Sequence, residues 1–240
     1  MKQQSTRPIQ GPFVPGVKAA WPICLGYIPI GLAFGVLAQK AGMTWFQIAL
    51  MSSIVFAGSS QFIAVSMLAS EAAALAIVVT TFFVNLRHLL MSSSLAVLLH
   101  NKHRGKLSVF AYGVTDESFA INYTRFLSGD WDLNRALVLN HTANACWFVS
   151  TITGGFFGHL IPAHSFGIDY ALLAMFICLL VFQLTSRLVI LTAIIAGLIA
   201  VGLALMIPGN SYIVMASVIA ASMGIGIRRI APMWGSGKGK

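Results

Sequence analysis

The stretch TWFQIALMSSIVFAGSSQFIAVSMLA, residues 44–69, decides what kind of protein this is. It holds no charged side chain and exceeds the roughly 20 apolar residues needed to cross a bilayer core about 30 Å thick. Its middle, Ala57-Gly58-Ser59-Ser60-Gln61-Phe62, nevertheless carries small and polar residues where a lipid-facing helix would carry Leu or Ile. The stretch reads as membrane-embedded and interrupted at its centre.

The rest of the chain has the same character. No Asp, Glu, Lys or Arg occurs between Lys40 and Glu71, between Arg135 and Asp169, or between Arg187 and Arg228. Of 240 residues, 58% are hydrophobic and 9% charged, against about 25% charged in soluble domains. The fold class is an all-α polytopic integral membrane protein. The formal charge of +9 does not point to nucleic acid. Lys2, Arg7 and Lys18 precede the first apolar run, Lys102, Arg104 and Lys106 form one short loop, and Arg228, Arg229, Lys238 and Lys240 follow the last run. Basic clusters at segment ends are the positive-inside pattern. Cys24, Cys146 and Cys178 lie in apolar runs, where Cys behaves as a small hydrophobe, and their spacing suggests neither a disulfide nor a metal site. The apolar run after Lys18 contains Pro22 and Pro29 and no clear cleavage site, so it reads as a retained span.

Residues 1–16 read as a cytoplasmic tail, 17–227 as one transmembrane domain and 228–240 as a second cytoplasmic tail. Six full spans are expected, at about 18–39, 72–99, 136–160, 170–186, 188–207 and 211–227. Gly26 to Gly31, around Pro29, marks a kink or a close helix contact in the first. Two stretches remain, 44–69 and 109–127, the second centred on Thr115-Asp116-Glu117-Ser118. With both termini and the basic loop 100–107 cytoplasmic, the count of crossings closes only if these two are broken or re-entrant. Such backbone is tolerated at membrane depth where protein or water covers it, and broken helices build transporter sites. A weak internal echo lays Gly58–Ala64 over Thr115–Ile121, each followed by a span containing Asn and His.

The candidate functional residues fall at these interruptions. Asp116 and Glu117 are the only adjacent carboxylates, and a charge at the bilayer centre costs on the order of 3 kcal/mol on insertion scales. They read either as a proton relay or substrate-amine site, or as solvated groups of an interfacial segment. Arg87 keeps its charge at any relevant pH and needs a counter-ion, for which Asp116 and Glu117 are the obvious choices. It could instead clamp a substrate carboxylate, or lock helices together as a structural ion pair. His88 is a natural protonation switch. Gly58, Ser59, Ser60 and Gln61 suit the start of a half-helix, whose free N–H groups attract anions, although small and hydroxyl residues also serve plain helix packing. Phe62 and Phe119 could line an apolar pocket, Asn85 accompanies Arg87, and His141 and Asn144 share one helix face. Metalloprotease, nucleophile-elbow and P-loop motifs are absent, so neither an enzyme nor a cofactor is expected.

Four ordered motifs carry a family resemblance: Tyr27-Ile28-Pro29-Ile30-Gly31-Leu32-Ala33-Phe34-Gly35, Phe56 to Phe62, Asn85-Leu86-Arg87-His88-Leu89-Leu90 and Gly113 to Phe119. Together they resemble the AzlC family, large subunits of bacterial branched-chain amino-acid exporters. The resemblance implies a multi-pass protein of the bacterial inner membrane that exports leucine, isoleucine and valine, with methionine a further candidate. It also implies a small AzlD-like membrane partner; self-association of the chain is a further option. Proton coupling fits the absence of an ATP-binding motif. The rival readings are an uncoupled channel-like facilitator and a non-transporting membrane subunit or scaffold.

Overall fold

The computed structural model describes residues 11–99, 102–160 and 187–206, with a few single positions between 170 and 223. The chain divides into two compact units, one of residues 1–72 and 84–172 and one of residues 73–83 and 173–240. The regular structure among the described residues is helical: α1 (Phe13–Lys40), α2 (Trp45–Ile54), α3 (Gly58–Ala69), α4 (Ala74–Ala96), α5 (Arg104–Tyr112), α6 (Asp116–Leu127), α7 (Leu133–Phe157), a short 3-10 turn (Gly158–Leu160) and α8 (Arg187–Met206). The second unit holds the first turns of α4 and all of α8.

Phe13–Lys40, Ala74–Ala96 and Val189–Met206 are long and apolar enough to cross a membrane. These are three of the six expected spans. The fourth, α7, is 25 residues long, but its Asn140, His141 and Asn144 keep it below the apolarity of the other three. The spans expected at 170–186 and 211–227 lie outside the described residues, apart from single positions. The expected basic loop is shorter than its charges suggested, because α5 already begins at Arg104, where the His103 ring accepts the Gly105 N–H.

Within the first unit, α1 and α7 pack side by side and parallel. Their contacts advance together, from Gly16 against Val138, through Gly31 against Ser150, to Gly35 against Gly154 and Gly155. A Cβ on Gly31 would fall 2.8 Å from that of Ser150, and one on Gly35 2.5 Å from the Gly155 nitrogen. Gly31 is therefore the close helix contact expected near Pro29. At 1.5 Å per residue the seam from Gly16 to Gly35 runs about 28 Å, close to the thickness of a bilayer core. Small residues let membrane helices approach closely enough for dispersion to hold them. Two thiol contacts, Cys24 Sγ to the Thr142 carbonyl and Cys146 Sγ to the Cys24 carbonyl, join the same seam.

Both interrupted stretches are broken helices. Residues 44–69 form α2 and α3 around a break at Val55–Ala57, where Phe56 adopts φ +37°. Residues 104–127 form α5 and α6 around a break at Gly113–Thr115. They approach α7 from opposite ends. Ile48 lies beside Gly155, Ser52 bonds Thr151, and Gln61 bonds Trp147, so α2 descends α7 against its direction. From the other end, Phe110 and Asn122 straddle the second break and meet the same residue: Asn140 donates to the Phe110 carbonyl at 3.1 Å and accepts from Asn122 Nδ2 at 2.9 Å. Phe110 and Phe126 also touch edge to face. The α5–α6 segment thus doubles back on itself. Trp131 Nε1 completes the network on Asn122 Oδ1, with Arg125 over its ring.

Candidate functional site

Each break ends in a fresh helix N-terminus, and the two differ in chemistry. At the start of α6, Thr115 and Ser118 form a reciprocal capping box, and the first turn carries Asp116 and Glu117. Carboxylates there complement the positive end of the helix dipole. At the start of α3, Ala57 supplies no side-chain cap and the first turn contains no acid. The opening N–H groups of a helix lack partners in their own helix, so α3 presents donors where α6 presents acceptors. The echo between the two segments therefore coincides with two helix starts. Gly58 is the first helical residue of α3 while Thr115 is the cap of α6, a register difference of one.

Arg87 of α4 joins these two starts. Its Nη1 lies 2.8 Å from Asp116 Oδ2, and its Nη2 donates to the buried Ser59 hydroxyl. The expected counter-ion is thus Asp116. The two charged side chains are 29% and 25% exposed. Arg87 Nε and Asn85 Oδ1 are buried and have no hydrogen-bond partner among the described residues. One is a donor and the other an acceptor, two residues apart on the same helix. His88 Nδ1 faces the Asn85 carbonyl at 3.3 Å.

Two aromatic residues that were not among the candidate site residues, Tyr27 of the first family motif and Trp147, brace the cluster. The Tyr27 hydroxyl of α1 lies 2.8 Å from Glu117 Oε2 and 2.9 Å from Thr115 Oγ1. Its ring meets Trp147 of α7 edge-on, with centroids 5.3 Å apart. Trp147 Nε1 donates to Gln61 Oε1 at 3.1 Å, and Gln61 Nε2 donates to Ser52 Oγ at 3.3 Å. Both ends of the Gln61 amide are therefore engaged. Ser60 donates to the Ala57 carbonyl across the α3 start. Trp147 also faces Gly58, where a Cβ would lie 3.3 Å from its ring. Tyr27, Arg87 and Trp147 all sit near the middle of their helices, so the cluster lies at mid-length of α1, α4 and α7.

The remaining candidates are placed as follows. Phe62 is buried against Phe34. Phe119 is half-buried and stacks on Tyr123. Asn144 is half-buried and His141 is exposed; the buried amide of that turn is Asn140. Among the described residues no group of three or more His, Cys, Asp or Glu could hold a metal ion.

Known proteins share this sequence pattern. The chain is 28% identical over 214 residues to the inner membrane protein YgaZ of Escherichia coli, covering 85% of this chain and 87% of that one. It is 28% identical over 202 residues to the branched-chain amino acid transport protein AzlC of Bacillus subtilis, covering 81% and 77%. An uncharacterized membrane protein of Archaeoglobus fulgidus is 34% identical over 122 residues, 49% of this chain and 53% of that one. No solved structure matches. The family described as AzlC protein matches residues 22–161, which hold α2 to α7, all but the first turns of α1 and every residue of the cluster. This membrane protein belongs to the AzlC family.

Proposed function

We propose that the chain exports branched-chain amino acids across the bacterial inner membrane, coupled to protons, together with a small AzlD-like membrane subunit. The observation that carries this reading is the pairing of an uncapped helix start with an acidic one across a single guanidinium. A zwitterionic amino-acid headgroup has matching parts. Its carboxylate suits the N–H groups of Gly58 and Ser59, the Ser59 hydroxyl and the unpartnered Arg87 Nε. Its ammonium suits Asp116 or Glu117 and the unpartnered Asn85 Oδ1. Ser60 and Gln61 hold the α3 turn in place for the carboxylate, and His88 works with Arg87 in coupling. The branched side chain needs only apolar walls, for which Phe62 and Phe119 are the nearest aromatic candidates on α3 and α6. The names of the relatives in Bacillus subtilis and Escherichia coli support amino-acid transport and an inner-membrane location.

Cells loaded with a valine-containing peptide test the reading. Wild type is expected to expel the released valine, and Asp116→Asn and Glu117→Gln variants present at equal membrane levels to expel it at least tenfold more slowly. Export at the wild-type rate by both variants would overturn it.

A further inference from the structure

We infer that Glu117, held by Tyr27, is the group on which a proton and the substrate ammonium replace one another, while Asp116 stays fixed as the partner of Arg87. This rests on the amino-acid reading above and divides the work between its two carboxylates. Charge is the starting point. The α6 start carries two acids, and Arg87 bonds one of them, Asp116. Among the described residues no cation bridges Glu117. Its Oε2 meets only the neutral Tyr27 hydroxyl at 2.8 Å. A neutral donor weakens an embedded charge but does not cancel it. The missing positive charge is supplied in turn by a proton and by an ammonium group.

The surroundings of Tyr27 accommodate both states. A phenol has one proton to give and an oxygen that also accepts, and it lies between Glu117 Oε2 and Thr115 Oγ1. With Glu117 ionised, Tyr27 donates to the carboxylate and the Thr115 hydroxyl donates to Tyr27. With Glu117 protonated, the carboxyl donates to Tyr27, which turns its own proton to Thr115. The swap requires two hydroxyl rotations and no ring movement, and Trp147 holds the ring in place. Asp116 has no such alternative, because protonating it strips Arg87 of its counter-charge. Among the described residues the other charged and titratable groups near Glu117 are Arg87 and His88 from α4 and Asp116 on its own helix. In the exchange the ammonium arrives with its three protons, the Glu117 proton leaves to water, and no covalent bond other than that O–H is broken.

The full chain purified in detergent, weakly buffered and mixed with a pH-indicator dye, reads the exchange directly when valine is added. Wild type is expected to release about one proton per valine bound. Glu117→Gln is expected to bind valine at least tenfold more weakly and to release none. Tyr27→Phe keeps the ring against Trp147 and removes the donor to the charged form, so release persists but its midpoint moves to higher pH. Proton release that survives in Glu117→Gln, that disappears in His88→Gln instead, or whose midpoint is unmoved in Tyr27→Phe overturns the assignment to Glu117. Valine binding by wild type without proton release overturns it as well, and leaves the amino-acid reading standing. Failure of wild type to bind valine at all overturns both.

Discussion

Arg87 cannot shed its charge, so the α4 helix that bears it needs an answering group wherever it lies in a membrane. Asp116 supplies the charge and Ser59 a second acceptor, and the planar fork of a guanidinium reaches both at once. An ammonium is a compact point charge and cannot span the same two partners in one geometry. Arg87→Lys is therefore expected to insert at near-normal levels yet lose at least tenfold in the rate of valine export, measured on peptide-loaded cells. Arg87, Asp116 and Glu117 were legible in the sequence because a charge in an apolar run is conspicuous. Tyr27 and Trp147 were not, because an aromatic residue in such a run looks the same whether it packs or hydrogen-bonds; the polar tip of Tyr27 was the only hint. The helix start at Thr115 was not read from the sequence, because Ser118 stands where the capping-box pattern has Glu or Gln. His141 drew notice for its chemistry, but the helix turns it outward and buries Asn140 instead.

At the scale of elements, two contacts hold the breaks in position, and each can be weakened alone. Gly35 rests against the backbone of α7 at Gly155, and there is no flexible side chain there to yield. Gly35→Val should force α1 and α7 apart at a cost of about 1–3 kcal/mol or more, seen as a lower midpoint in a thermal denaturation of the purified protein. Asn140 satisfies one partner from each arm of the α5–α6 hairpin. Asn140→Ala leaves the Phe110 carbonyl and one Asn122 amide proton unpaired, for an expected loss of about 2–4 kcal/mol, and proteolysis of the hairpin should report it. The existence of both breaks could be read from polar residues at the centres of apolar stretches. The seam could not: glycine spacing in α1 and α7 shows that each helix can be approached closely, but not by which partner.

For the molecule as a whole, the parallel course of α1 and α7 makes a statement about sidedness. With α1 and α7 both crossing, as the expected topology has it, the N-terminal ends of the two helices lie on one face of the membrane and their C-terminal ends on the other. In a background with Cys24, Cys146 and Cys178 replaced by Ser, single cysteines at Gly11 and Asp130 should react with an impermeant maleimide from the same side. Cysteines at Gly42 and His159 should react from the opposite side. The positive-inside bias assigns the first pair to the cytoplasm. Labelling of Gly11 and Asp130 from different sides would contradict the parallel seam. The link between Arg87 and Asp116 also bears on how the chain is made. The two lie 29 residues apart (116 − 87), so at about 5–20 residues per second the ribosome delivers the acid roughly 1.5–6 s after the base. During that interval α4 holds an unanswered cation, at an insertion cost on the order of 3 kcal/mol that its apolar residues must offset. The ion pair of the finished protein therefore cannot form until α6 has been made, a delay that belongs to synthesis and not to the folded state.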